Sequence, residues 1–230
     1  MNVFKNARQQ VIMQIEAACE HAQREKDSVQ LLAVSKTQPS ENLREMYAAG
    51  QTSFGENYLQ EALNKISELQ DLDIEWHFIG HVQRNKTKLI AEHFLWVHGV
   101  DRFIIAQRLS DQRATHLPKL NICIQVNIDE QDSKDGCHVD DLAELVEQIS
   151  QLEHIHLRGL MVIPDPESKH SFETTQQLFN ELRSKHANPK MWDTLSMGMS
   201  SDLEQAIQAG STMVRVGTAL FGARDYSKTT

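Results

Sequence analysis

The chain has 230 residues, 40% of them hydrophobic and 24% charged, with only 10 Gly and 5 Pro. These proportions exclude a collagen-like, low-complexity or wholly disordered chain, and one or two domains of this total size bury a full core without disulfide staples. A balance of 23 Lys and Arg against 32 Asp and Glu leaves a net charge of −9, which opposes general binding to nucleic acid and to anionic membranes. Mean hydropathy is −0.46, and no apolar run approaches the roughly 18 residues of a membrane span.

From the N-terminus onward, short apolar runs alternate with amphipathic stretches. A helix is expected over about 3–26, with Val11, Ile12, Ile15, Ala18, Cys19 and Ala22 at helical spacing. The run 29–34 predicts a first strand that ends at Ser35-Lys36-Thr37. Ser40 is the expected cap of a helix over 41–49, which Gly50 closes. A weak strand at 53–56 precedes a helix over about 58–68, and a strand at 75–79 precedes one over about 85–93. The strand 95–98 leads to a helix over 104–112, and the long strand 121–128 leads through a polar loop to a helix over 139–151. Strand 156–163, helix 173–185, strand 194–197, helix 202–209 and strand 213–216 complete the series.

Eight strands alternating with eight helices is the count of a (β/α)8 TIM-type barrel, an α/β fold. No Pro/Gly/Ser-rich linker divides the chain, so residues 1–230 are expected to form a single domain, with the helix at about 3–26 as an N-terminal addition. A doubly wound open sheet is the competing architecture, but its GxGxxG signature after the first strand is absent. Cys19, Cys123 and Cys137 are odd in number and lack CxxC spacing, which fits reduced thiols in the cytoplasm. The opening segment has no apolar core of a signal peptide, in keeping with that location.

In a barrel of this kind the C-terminal ends of the strands carry the site. They offer Lys36; Glu56 and Asn57; His77 and His81; Asn127 and Asp129; Met161 and Pro164; Ser196 and Ser200; and Arg215, Gly217 and Thr218. An ammonium directly after Leu-Leu-Ala-Val is drawn toward the barrel mouth, where partial desolvation frees an amine for Schiff-base chemistry. The bland alternative is a strand-end Lys36 reaching back to water. Loops after the last two strands often bind phosphate beside a short helix, and here they read Ser196-Met-Gly-Met-Ser-Ser201 and Gly217-Thr218-Ala219. Ordinary helix capping explains one of those serines but not two hydroxylic loops. Arg215 either points into the mouth, toward an anion or a ring nitrogen, or faces outward to an acidic helix residue. No histidine spacing is convincing for zinc, and no metal is expected. The basic cluster 84–88 reads as a solvated helix start.

Six motifs in order carry a resemblance: Leu-Leu-Ala-Val-Ser-Lys36, Phe54-Gly-Glu-Asn-Tyr58, Trp76-His-Phe-Ile-Gly80, Leu157-Arg-Gly-Leu-Met161, Leu195-Ser-Met-Gly-Met-Ser200 and Met213-Val-Arg-Val-Gly-Thr218. Together they make the chain resemble the pyridoxal phosphate homeostasis proteins, which are similar in fold to the barrel domain of alanine racemase. The resemblance implies pyridoxal 5′-phosphate held as a Schiff base on Lys36. It places Ser200, Gly217 and Thr218 around the phosphate, with Ser201 and Gly198 close by. Arg215 would face the pyridine nitrogen, and Asn57, His77 and Ser196 would surround the ring. His81-Val-Gln-Arg84 departs from the proline and serine common in the family and alters a loop at the mouth. The further β domain that gives the racemase its second acid/base is not expected here, so a monomeric carrier acting in vitamin B6 and amino-acid homeostasis is favoured over a slow amino-acid racemase. Apo-enzymes that need the cofactor are the implied recipients. A Schiff-base aldolase without the cofactor is the third reading.

Overall fold

The computed structural model describes residues 3–131, 134–168 and 170–222. Its strands are β1 (Gln30–Val34), β2 (Ser53–Glu56), β3 (Glu75–Phe78), β4 (Trp96–Val100), β5 (Leu120–Val126), β6 (Ile155–Val162), β7 (Thr194–Ser196) and β8 (Met213–Val216). They pair in parallel in sequence order, and β8 returns to β1 with Leu32 opposite Arg215, so the sheet is a closed barrel. The expected TIM-type architecture is the one observed.

Between the strands lie α2 (Ser40–Ala48), α3 (Leu59–Glu68), α4 (Thr87–His93), α5 (Phe103–Gln112), α6 (Leu142–Ile149), α7 (Ser171–Leu182) and α8 (Leu203–Gln208). The opening helix α1 (Val3–His21) buries Val11, Ile15, Ala18 and Cys19, and it packs against α8 and α2. It thereby fills the gap in the outer ring that a long helix after β8 would occupy. Among the described residues, β8 leads only into the short α9 (Thr218–Phe221), which the sequence did not disclose.

The period-two alternation of the strands decides what meets what. Leu31, Ala33, Trp76, Phe78, Val97, Leu195, Val214 and Val216 join the apolar layer under the helices. The intervening positions face the lumen, where two smaller apolar clusters form, one of Leu32, Ile79 and Met213 and the other of Trp96, Cys123 and Met161. Polar side chains fill the space between them. A register shift where β5 meets β6 is accommodated by Gly159, whose φ is +155°. A Cβ there would lie 1.8 Å from the Thr194 carbonyl oxygen, so the position admits only glycine.

Several boundaries differ from expectation. The first helix stops at His21 rather than near 26, because Gln23 takes a left-handed turn (φ 55°) and Arg24 donates instead to the Ile207 carbonyl. Ser40 is not a cap: Pro39 precedes the helix in extended conformation, and the Ser40 hydroxyl donates to Glu68 of α3. The expected helices at 85–93 and 139–151 each open with a tight 3-10 turn before α4 and α6.

Candidate functional site

A cavity of about 310 Å³ opens at the C-terminal mouth of the barrel, at the lower end of the usual size range for small-molecule sites. Lys36, Asn57, Ser200, Ser201, Arg215, Gly217 and Thr218 line it, together with Gln38, Met199 and apolar walls from Val34, Ile79, Ile163 and Phe221. Six of the eight residues singled out as cofactor-binding therefore meet in one place.

Lys36 follows β1, and the backbone that presents it is held from behind. Ser35 is fully buried, and its hydroxyl donates to Glu56 Oε1 at 2.5 Å. Lys65 of α3 donates to the Ser35 carbonyl (2.7 Å), to Glu56 Oε1 (2.8 Å) and to Glu61 Oε1 (2.6 Å). On the other side of Lys36, Thr37 has φ 65° and donates its N–H to Glu61. A β-branched residue at positive φ is a strained conformation that persists only where its surroundings impose it. Glu56, which the sequence offered to the mouth, instead serves this clamp. Burial pushes its carboxyl up, and Lys65 opposes that shift.

The phosphate-shaped loops keep their open donors. The loop after β7 turns at Gly198 (φ 97°), where a Cβ would come within 2.6 Å of Ala206 Cβ. Beyond it the backbone N–H groups of Ser200 and Ser201 find no acceptor among the described residues. Ser200, Ser201 and Thr218 are exposed to the cavity. Hydroxyls and backbone N–H groups converging in this way suit an anion with several acceptor oxygens.

Arg215 points inward and is 4% exposed, so the outward-facing alternative does not hold. Its Nη1 donates to the carbonyl and hydroxyl of Ser196 (2.7 and 2.9 Å), and its Nη2 donates to the Val162 carbonyl (2.9 Å). Two of the five guanidinium N–H groups thus have no protein acceptor among the described residues. Burial lowers its pKa to about 10, which still leaves it charged at neutral pH. Asn57 Oδ1 is buried at the cavity wall without a hydrogen-bond donor.

His77 and Ser196 do not line the cavity. Both are fully buried in the lumen beneath it. His77 Nε2 meets Glu75 Oε1 at 2.9 Å, and His77 Nδ1 meets His98 Nε2 at 3.0 Å. His98 Nδ1 meets Ser196 Oγ at 2.9 Å. His98 and Glu75 were not foreseen, although the alternation in Leu95-Trp-Val-His98 would have put Trp96 and His98 on one face. His81 pairs with Asp135 at 3.2 Å, away from the cavity. Asn127 and Asp129 turn into the β5 and β6 loops, where Asn127 holds Gln131 and Asp129 holds Lys134 and Ser171. Tyr58 is exposed and is not among the lining residues.

Burial holds His77 and His98 below the ordinary histidine pKa. Below about pH 6.5 the unfolded chain takes up protons on these rings that the folded chain refuses, so stability falls as pH falls. The slope approaches about 1.4 kcal/mol per pH unit for each such histidine. Glu75, brought to about 2 chiefly by its hydrogen bond to His77, adds stability that is lost only as pH falls from the usual carboxylate range toward 2. The urea midpoint is expected to hold between about pH 7 and 8 and to decline steadily below about pH 6. A midpoint flat down to about pH 5 would contradict neutral buried rings.

Comparison with known proteins agrees with the architecture. The family model for the alanine racemase N-terminal domain matches residues 9–225. The chain is 54% identical over 217 residues to the pyridoxal phosphate homeostasis protein of Pseudomonas aeruginosa, covering 94% of each. It is 49% identical over 236 residues to that of Escherichia coli K12, covering 99% of this chain and 100% of the relative. Among solved structures, PipY of Synechococcus elongatus with PLP bound matches at 42% identity and a TM-score of 0.71, over 85% of this chain and 93% of that one. Alanine racemase of Corynebacterium glutamicum, at 14% identity and a TM-score of 0.69 over 98% of this chain and 63% of that one, shares the fold.

Proposed function

The chain belongs to the pyridoxal phosphate homeostasis proteins, a family built on the alanine racemase N-terminal fold, and we propose that it binds pyridoxal 5′-phosphate as a Schiff base on Lys36 and acts as a carrier of that cofactor. The observation that carries this reading is the convergence on one cavity of an amine, two hydroxylic loops and a buried arginine. The residues present fit the group. Asn57 Oδ1 is a buried acceptor with no donor, suited to the ring hydroxyl. Ser200, Gly217 and Thr218 would hold the phosphate, with Ser201 and Gly198 close by, and Arg215 would turn an unspent N–H to the pyridine nitrogen.

When bound, pyridoxal phosphate supplies an electron sink, and its strength depends on protonation of the ring nitrogen. Arg215 is a permanent donor and cannot accept that proton, so it favours an unprotonated nitrogen and a weak sink. Two-base proton exchange needs a second acid/base across from the lysine. Among the described lining residues, Lys36 and Arg215 are the titratable side chains. This supports a carrier with little turnover over a slow amino-acid racemase. We place the protein in the cytoplasm, in keeping with three buried free thiols, as a single-domain monomer that passes its cofactor to apo-enzymes. The net charge of −9 disfavours a nucleic-acid partner.

Purified protein loaded with pyridoxal phosphate is expected to show a visible absorption band that borohydride abolishes, leaving the label on Lys36 in a peptide digest. Lys36→Ala is expected to lack the band while keeping its fold by circular dichroism. A wild type that takes up no pyridoxal phosphate ends the proposal, and robust racemisation lost in Lys36→Ala would replace the carrier by the enzyme.

A further inference from the structure

Five polar residues of the lumen form one continuous hydrogen-bonded chain, Glu75–His77–His98–Ser196–Arg215. Glu75 and His77 belong to β3 and His98 to β4, whereas Ser196 and Arg215 belong to β7 and β8. In a closed barrel of eight strands these two pairs stand on opposite walls, so the chain crosses the lumen. It also runs from the start of β3, at the mouth opposite the cavity, up to the arginine that lines the cavity. Glu75 is 36% exposed, whereas His77, His98 and Ser196 are fully buried.

The two ends of this chain dictate the protons between them. Arg215 has no acceptor atom, so Ser196 Oγ must accept from it. The ionised Glu75 has no donor, so neutral His77 must carry its proton on Nε2 to make the 2.9 Å contact. His77 Nδ1 is then a bare acceptor, which requires His98 to donate from Nε2. His98 Nδ1 is bare in turn and takes the Ser196 hydroxyl proton. Every link is satisfied in this one direction. The reverse direction would need a protonated Glu75 or a charged His77 on a fully buried ring. Both termini are single-purpose groups, one only a donor and the other only an acceptor, so together they fix the tautomers of the two rings between them.

We propose that Glu75, His77, His98 and Ser196 are positioning residues that lock a one-way hydrogen-bond chain and thereby fix the orientation of the Arg215 guanidinium at the cavity. The chain accepts hydrogen bonds from the arginine and hands them down to Glu75, so it has no proton to pass upward. Arg215 is left as a donor only, held at the Ser196 and Val162 carbonyls with its unspent N–H groups directed elsewhere. Under the function proposed above, on which this last consequence rests, the device keeps the cofactor's ring nitrogen unprotonated. It also ties the electronic state of the cavity to a carboxylate at the far mouth.

Among the described residues, the groups packed against the chain supply no competing proton source. His77 stacks on Trp96 at 5.3 Å, and Arg158 covers that ring at 4.8 Å. Arg158 is itself paired with Asp193 at 2.7 Å. Cys123, which clusters with Trp96 in the lumen, is pushed up to about 12 by burial and stays protonated. Gln30 and Ser53 each donate to the same Glu75 oxygen, at 3.2 and 3.1 Å, and hold the carboxylate in its ionised form.

The test uses the full chain labelled with 15N, first without cofactor. Two-bond nitrogen–proton correlations are expected to show both His77 and His98 protonated on Nε2 and bare on Nδ1, unchanged from pH 6 to pH 8 (roughly the range over which an ordinary histidine titrates). The Arg215 side-chain N–H signals are expected to be resolved, as for a guanidinium that does not rotate. Either ring protonated on Nδ1, or titrating in that range, overturns the proposal. In Glu75→Gln the terminal amide both donates and accepts, so the direction is no longer forced. That variant is expected to show mixed tautomers and a broadened Arg215, and Ser196→Ala is expected to lose the Arg215 signature while His77 keeps its tautomer. If Glu75→Gln folds and all these signals stay as in wild type, the proposal fails. After loading with pyridoxal phosphate, Glu75→Gln is expected to shift the absorption band and make it pH-dependent. Wild type that takes up no pyridoxal phosphate would sink the function proposed above, while the tautomers and the Arg215 signals would still decide the chain.

Discussion

Lys65→Met is expected to cost about 3–5 kcal/mol of folding stability, the usual penalty for removing one partner of a buried ion pair. Glu56 is fully buried, and its Oε2 already lacks a hydrogen-bond partner. Without the ammonium only the Ser35 hydroxyl would remain on that carboxylate. The unfolding midpoint should drop by about 10 °C, since each kcal/mol moves a chain of this length by roughly 2–4 °C. Thermal and urea melts would measure both. The double change Lys65→Met with Glu56→Gln should recover more than half the loss, because the residual group is then neutral. A Lys65→Met melt within about 1 kcal/mol of wild type would show that the clamp is not a buried charge pair. The same change removes the donor on the Ser35 carbonyl and loosens the carboxylate that holds Thr37. Lys36 should consequently be less well placed, and cofactor uptake at a fixed concentration should fall by more than destabilisation alone explains.

The double substitution Ser200→Ala with Thr218→Val is expected to weaken pyridoxal phosphate binding about a hundredfold or more while leaving stability nearly unchanged. Hydrogen bonds to a charged group contribute about 1.5–3 kcal/mol each, and two lost together reach that factor or exceed it. Both side chains are exposed, and neither hydroxyl has a hydrogen bond among the described residues, so the fold does not depend on them. Equilibrium titration by absorbance gives the dissociation constant. Inorganic phosphate should compete with pyridoxal phosphate for the wild-type cavity and lose that effect in the double variant. Unchanged affinity would move the anion site elsewhere. An equal loss of affinity for pyridoxal, which lacks the phosphate, would show that the loops act on the ring and not on the anion.

The parts of this protein legible in its sequence are those governed by local periodicity. Alternating apolar runs and amphipathic stretches predicted the barrel because a parallel strand buried on both faces and a helix covering it leave different spacings. Lys36, Ser200 and Thr218 were legible for a related reason: in this fold the end of a strand is already a place in the site. Errors gathered where the chain follows distant partners. Ser40 resembles a cap in every local respect, yet its hydroxyl is taken by Glu68 on another helix. The first helix ends early because Arg24 finds Ile207, far along the chain. Glu56 looked like a mouth residue until Lys65 turned it into the clamp.

By itself, then, the sequence determined the barrel, the mouth at which its chemistry gathers and the amine and hydroxyls available there. Side-chain period and strand order are properties of consecutive residues. Tertiary structure alone decided that His77 and Ser196 lie beneath the cavity and not in it, and that Glu75 and His98 join them to Arg215. The physical reason is closure. When β8 pairs with β1, strands far apart in sequence become facing walls, and polar groups shut away from bulk solvent must find partners across the lumen.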